Sequence, residues 1–218
     1  MWRQCRVTTV LFGCTYNLEA DSEFDLDATA TVAPKGWVSY IEGIARVLAE
    51  KDGKLKGADI AILSEVPIGA GLSSSAALEI SVGFALLRLA ESQIDLMDLA
   101  RCAQTAEHRF VGTKSGLMDQ LTAACGVRNH AMLIDCRSLE CELTTVNISG
   151  MSVVICDTRV KHDLAASAYN QRRHECEEAV KILCEQNPKI GSLRDLTLAD
   201  FQKLSISCRI LCAAVAVM

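Results

Sequence analysis

The sequence predicts an α+β fold, on three observations. Helical and strand patterns follow one another in mixed rather than strictly alternating order, which argues against a doubly wound parallel sheet. Half of the 218 residues are hydrophobic and 22% are charged, enough for one large core or two smaller ones. A nearly all-apolar helical run, from Ser73 to about Ala90, follows a strand pattern through a turn holding Gly69 and Gly71. A run so apolar all round belongs inside a core rather than on a surface.

The elements follow in order. Residues 1–33 carry only weak alternation. A helix is predicted from Trp37 to Glu50, because Tyr40, Ile41, Ile44, Val47 and Leu48 recur at three and four residues. Asp52-Gly53 ends it in a turn. "GADIAILSEVP" alternates as a half-buried strand does and stops at Pro67. In the next helix Ala76, Ala77, Ile80, Phe84 and Leu87 are expected to face the core, and only Glu79 and Arg88 are charged. Asp95 opens a further helix, with "DLMD" as an acidic capping box and Leu96, Leu99, Ala103, Ala106 and Phe110 on its buried face. "VGTKSG" breaks that pattern. A short helix restarts with Ser115 as N-cap and Gly126 beyond its end. "HAMLIDC" and "MSVVICDT" read as strands, "YNQRRHECEEAVKILCEQ" as a helix, and "TLAD" as the capping box of one more.

Composition excludes several functions. A net charge of −5 leaves no basic excess for a nucleic-acid partner. No apolar run reaches the roughly 20 residues of a bilayer span, so no membrane partner is expected. Eleven cysteines, an odd number with no CxxC spacing, fit reduced thiols used as small hydrophobes in a reducing cytoplasm.

The chemistry starts at "VPIGAGLSSSAALEI", residues 66–80. Gly69 and Gly71 permit positive φ and let a ligand approach the backbone. The following helix N-terminus offers unpaired amides at the positive end of its dipole. The three serines add hydroxyls. No lysine follows the glycines, so the Walker pattern is excluded, and GxGxxG is absent as well. A serine-capped core helix and a phosphate cradle both satisfy these residues.

"PIGAGLSSSAALE" resembles the second signature motif of the GHMP small-molecule kinases, with the triple serine of their galactokinase branch. "AEH", "GLMDQ" and "LIDCRSLE" within residues 102–140, and "RVKHDLAASAYNQRRHECEEA" after them, are similar to the same branch. The resemblance runs over residues 35–203. It implies the GHMP two-domain fold: a ribosomal S5 domain 2-like nucleotide-binding domain, here residues 25–114, and the start of a C-terminal domain, 115–204. Residues 1–24 and 205–218 depart from the pattern.

The resemblance also implies roles. Asp119 becomes the base for a sugar hydroxyl and a sugar contact. By its residues alone it reads as a carboxylate complementing a helix N-terminus. Gly116 and Tyr169 are implied to meet the sugar, and Trp37, Gly69, Gly71, Leu72, Ser73, Ser74 and Ser75 the nucleotide. Trp37 reads equally as a core anchor, and Tyr169 as a buried tyrosine with a satisfied hydroxyl. Glu107 with Ser75, or Ser74, is implied to hold magnesium. His108 reads as structural, and Asp135 with Arg137 as an ion pair or a support to the site. The expected substrates are ATP and galactose, with Mg²⁺ as cofactor, in a full-length enzyme that is monomeric. The alternatives are another GHMP sugar kinase, such as one for N-acetylgalactosamine, and a non-catalytic sugar and ATP sensor.

The family's N-terminal motif, close to "GRVNLIGEHTDY", and its later glycine-rich motif have no counterpart here. The sequence therefore predicts a chain truncated at both ends, with weak or no turnover. It also predicts core surface laid bare near residues 131–136 and 152–156.

Overall fold

The computed structural model describes residues 10–15, 20–26, 36–52, 55–156, 165–197 and 199–200. They fall in two compact units, residues 1–161 and 162–218.

The first unit joins a small mixed sheet to a layer of helices. Strand β1 (Val10–Thr15) pairs antiparallel with β2 (Ala20–Asp25) and parallel with β3 (Ala58–Ile62), giving the order β2-β1-β3. Two of these strands lie in the stretch whose alternation is weakest. Helix α1 (Val38–Asp52) stands in the connection to the parallel strand, as a parallel pairing requires. Arg46 ties α1 to the end of β2. Its Nη2 donates to the Asp25 carbonyl at 3.0 Å, its Nη1 to the Leu26 carbonyl at 3.3 Å, and its Nε to Glu42 Oε1 at 2.6 Å. The ion pair is almost closed to solvent, and the two carbonyls satisfy donors that burial would otherwise strand.

Helices α2 (Ser74–Leu89), α3 (Leu96–Ala106) and α4 (Met118–Cys125) pack with α1 around Ile44, Leu48, Leu86, Leu99 and Leu121, all fully buried. The helices approach closely. A Cβ on Gly83 of α2 would lie 2.9 Å from Leu99 Cδ1 and 3.0 Å from Ile44 Cγ1. The buried stripe of α2 differs from the expected one. Phe84 is half exposed, and the stripe runs Ala76, Glu79, Ile80, Gly83, Leu86 and Leu87. It keeps the three-and-four spacing but centres on a glycine and includes a carboxyl. In α3, Leu96 is partly exposed because it is the first helical residue, while Leu99, Ala103 and Ala106 are buried.

Two expected caps are replaced. Asp95 stands at the N-cap of α3 without a side-chain cap bond. Asp98, its capping-box partner by sequence, instead accepts from Lys51 Nζ at 3.0 Å and Arg101 Nη1 at 3.1 Å. Helix α4 starts at Met118 with Leu117 as N-cap, so Ser115 lies outside the cap.

Strand β4 (His130–Ile134) forms a hairpin with β5 (Cys141–Thr145), which the sequence did not suggest. Asp135 Oδ1 accepts from the backbone N–H of Arg137 and Ser138 in its turn. Met151–Cys156, expected as a strand, is exposed and has no partner strand among the described residues.

In the second unit α5 (Ala165–Gln186) starts four residues earlier than expected. Leu183 and Ile190 are buried there with Leu193 and Leu196 against them. The expected Thr197–Asp200 box has its reciprocal bonds: the Thr197 hydroxyl donates to Asp200 Oδ2, and the Asp200 N–H donates back to Thr197 Oγ1. The divergent tail at 205–218 lies outside the described residues. Cys102, Cys125, Cys136, Cys141, Cys156, Cys176 and Cys184 are free thiols. Among the described residues no helix is long and apolar enough to cross a membrane.

Candidate active site

The loop between β3 and α2 has the geometry of an anion cradle. φ is positive at Gly69 (75°), Gly71 (74°) and Ser73 (55°), while Ala70 and Leu72 between them lie outside that region. Alternating handedness along consecutive residues turns successive amides toward one side, which is how a backbone nest receives an anion. Open space surrounds both glycines: a Cβ built on either meets nothing within 4 Å. Ser73 is the N-cap of α2, in left-handed backbone and with no side-chain cap bond. Its hydroxyl is therefore not committed to closing the helix, in contrast to an ordinary serine cap. Ser74 and Ser75, in the first turn, are partly buried.

A second cluster is built by a break in α3. The helix passes into a single π-helical turn, Glu107–Val111, closed by Gly112 at φ 85° with its N–H on the Glu107 carbonyl at 2.9 Å. Such turns widen a helix and re-aim its side chains. Glu107 is buried, and its Oε2 accepts the Ser115 hydroxyl at 2.5 Å and Gln120 Nε2 at 2.8 Å. The Ser115 carbonyl in turn accepts Gln104 Nε2 at 3.1 Å and lies 2.8 Å from His108 Nε2. The loop from Gly112 to Leu117 is thus pinned to α3 at its serine, and α4 is pinned to Glu107 through Gln120.

Asp119, next to Gln120, sits in the first turn of α4 and is partly buried. Among the described residues no side chain is hydrogen-bonded to its carboxylate. Gly116 is exposed in the loop before α4. Trp37 packs against the helical core beside the start of α1. Tyr169 belongs to α5 in the second unit and is half exposed. The structure therefore brings Glu107, Ser115 and Gln120 into one hydrogen-bonded cluster, places Asp119 beside Gln120 in the first turn of α4, and has Tyr169 in the second unit.

Glu79 was not singled out by sequence for a role. It is fully buried on α2, and no donor meets either of its oxygens in hydrogen-bonding geometry among the described residues. Burial first, and the neighbouring Glu107 second, push its carboxyl up to about 9, with the Gln120 amide pulling the other way. Gln120 Nε2 is already engaged by Glu107, and Gln120 Oε1 is itself buried without a partner. The same two carboxyls raise the Tyr40 hydroxyl, behind the larger effect of its burial. The signal was present in the sequence: a lone glutamate three residues after Ala76 and four before Gly83 shares their face.

The residues fit a hydrated magnesium ion in donor chemistry. Magnesium takes oxygen ligands from one or two protein groups and keeps several waters. Both donors to Glu107 fall on Oε2.

The family model for the GHMP kinases N terminal domain matches residues 39–127, which contain both the loop and the Glu107 cluster. The galactokinase of Chloroflexus aggregans is 50% identical over 182 residues, 83% of this chain and 46% of that protein. The galactokinase of Chloroflexus aurantiacus is 47% identical over 180 residues, again 83% and 46%. The chain thus spans about half the length of these curated relatives. The structure of Lactococcus lactis galactokinase complexed with galactose superposes at a TM-score of 0.78 with 26% identity, covering 96% of this chain and 56% of that one. The chain belongs to the GHMP kinase family, in which galactokinases are its relatives.

Proposed function

We propose that this chain carries the phosphate-binding and proton-accepting parts of a cytoplasmic galactokinase, which transfers the γ-phosphoryl group of ATP to the anomeric hydroxyl of galactose. The observation that carries this reading is the Glu107 carboxyl receiving both Ser115 and Gln120, with Asp119 as the next residue on the same helix. Its support from outside is the 50% identity to a galactokinase over most of the chain.

The loop amides from Gly69 to Ser73 and the start of α2 receive the phosphates of ATP. Trp37, Leu72 and Ser74 border the nucleotide. Glu107 and Ser75 would hold magnesium, which when bound would neutralise phosphate charge. Gly116 and Asp119 hold the sugar. Asp119 accepts the proton of the anomeric hydroxyl as its oxygen bonds to the γ-phosphorus. The bond from that phosphorus to the bridging oxygen breaks, and ADP leaves. Phosphoryl transfer asks little covalent chemistry of a protein beyond such positioning and charge neutralisation.

The test is calorimetric titration with MgADP and with galactose, beside a coupled assay of ADP release. Binding of both ligands, with weak turnover abolished by Asp119→Asn, is the expected result. Binding of neither ligand overturns the reading. Sugar binding that survives with full turnover in Asp119→Asn removes the base from Asp119. A preference for N-acetylgalactosamine over galactose reassigns the sugar.

A further inference from the structure

Three side chains from α3 and the π-helical turn that ends it converge on one residue of the loop before α4. Gln104, Glu107 and His108 stand three and four positions apart, the spacing that places side chains together on one helix face. All three reach Ser115. Gln104 Nε2 donates to the Ser115 carbonyl at 3.1 Å, His108 Nε2 lies 2.8 Å from the same oxygen, and Glu107 Oε2 accepts the Ser115 hydroxyl at 2.5 Å. A carbonyl oxygen can only accept, so the hydrogen of the second contact sits on His108 Nε2. Two donors thus meet the two lone pairs of that oxygen. His108 reads as structural by sequence, yet its ring is exposed and its bond is spent on a loop rather than on the core.

The clamp orients more than the serine. A peptide unit is planar, so the Ser115 carbonyl and the Gly116 N–H form one rigid group and point to opposite sides of the chain. Holding the oxygen against α3 therefore directs the Gly116 N–H away from α3. Gly116 has no side chain to fix that plane, its backbone is permissive, and it is exposed in the loop. The restraint has to come from the neighbouring carbonyl.

We propose that Gln104 and His108 are positioning residues for the sugar. By holding the Ser115 carbonyl they set the plane of the Ser115–Gly116 peptide, and with it the backbone that Gly116 presents to galactose. The inference rests on Gly116 and Asp119 as the sugar side of the site. Both residues act through Ser115 and not on the sugar or the nucleotide. Glu107 holds the same serine by its hydroxyl, so loss of the carbonyl bonds leaves that tie in place and lets the peptide plane turn.

The experiment uses this full chain with Gln104→Met, His108→Leu and both together, which keep apolar bulk and remove the donors. His108→Gln is the conservative variant, because its amide N–H can replace the Nε2 donor. In calorimetric titrations the double variant should bind galactose about tenfold more weakly or worse, while its MgADP affinity changes by less than about twofold. His108→Gln should recover most of the galactose affinity lost in His108→Leu. Amide exchange at residues 115–117 should speed up by about tenfold in the double variant, while Ile44 and Leu48 keep their protection. A merely structural role would weaken both ligands together and expose the core amides. Unchanged galactose affinity in the double variant overturns the inference. So does equal weakening of galactose and MgADP, or a His108→Gln variant no better than His108→Leu. A parent chain that binds MgADP but not galactose overturns the proposed sugar site and this inference with it. The two failures are distinct, since that one shows in the parent and the others only in the variants.

Discussion

The Ser115 hydroxyl donates to Glu107 Oε2 at 2.5 Å, joining the loop before α4 to the π-helical turn that ends α3. Gln120 reaches the same oxygen from α4. The loop and α4 are thereby both tied to one buried carboxyl. Removing either donor leaves that carboxyl under-bonded in a dry place, at a cost of about 1–3 kcal/mol. Ser115→Ala and Gln120→Leu should each lower unfolding stability by that amount in urea titration. The double variant should lose less than the sum, because both act on one acceptor. Strict additivity would mean that the two bonds are independent and that Glu107 is not their shared anchor.

Glu79 gives stability a pH dependence of opposite sign to that of an ordinary paired acid. Its folded carboxyl keeps a proton up to about 9, against 4.5 in the unfolded chain. Between those values the folded state binds more protons, so the contribution of Glu79 is intact below about 4.5 and declines as pH rises toward 9. At neutral pH the deficit is on the order of 3 kcal/mol. Glu79→Gln removes the ionisation and keeps a donor for the unpartnered Gln120 Oε1. Thermal melts should show the variant more stable than the parent at pH 7–8, with the gap closing near pH 4–5. A gap that is flat with pH would mean that Glu79 is charged in the fold and paired by a group on the site side.

Much of the fold was legible because burial imposes a period. The apolar spacing at Ile41, Ile44 and Leu48, and at Leu99, Ala103 and Ala106, returned α1 and α3 nearly to the residue. The stripe of α2 was misread at Phe84 because a bulky side chain counts as core by type, whereas the close crossing of α1, α2 and α3 selects Gly83. Caps were less legible: Ser115 and Asp98 are capping types that tertiary partners, Glu107 and Lys51, draw elsewhere. Met151–Cys156 reads as a strand by composition, yet a strand needs a partner, and none is present among the described residues. In the candidate site, Gly69, Gly71 and Ser73 follow from local backbone chemistry, and the structure gives them positive φ. The tie from Glu107 to Gln120 spans thirteen residues and a π-helical turn, which no local pattern encodes.

Gly71 separates backbone demand from packing. A Cβ there would meet nothing within 4 Å, yet φ is 74°. Gly71→Ala should therefore cost about 1 kcal/mol of stability, the left-handed penalty reduced by a stiffer unfolded chain. Its larger effect should be on MgADP binding, weakened severalfold as the loop relaxes out of alternating φ and its amides diverge. Gly71→Asn, which tolerates left-handed backbone, should retain most of the affinity. Equal affinity in the alanine variant would show that the nucleotide does not use this loop.

Gly43 poses the reverse case. Its backbone is helical, and alanine would gain about 1 kcal/mol of propensity in a free helix. Here a Cβ would lie 3.1 Å from Phe110 Cβ and 3.2 Å from Ala106 Cβ. Those are the roots of side chains on α3 and on the π-helical turn, so no rotamer change relieves the contact; α1 has to move away from the segment that carries Glu107. Overpacking of this kind costs about 1–3 kcal/mol, which exceeds the propensity gain at most of its range. Gly43→Ala should lower the melting temperature, and amide exchange in residues 106–112 should speed up more than in β3. A compensating Phe110→Leu change leaves the Cβ contact in place and should not rescue the variant, whereas Ala106→Gly removes one of the two contacts and should recover part of the loss. Rescue by Phe110→Leu alone would locate the strain in the ring rather than in the approach of the two helices.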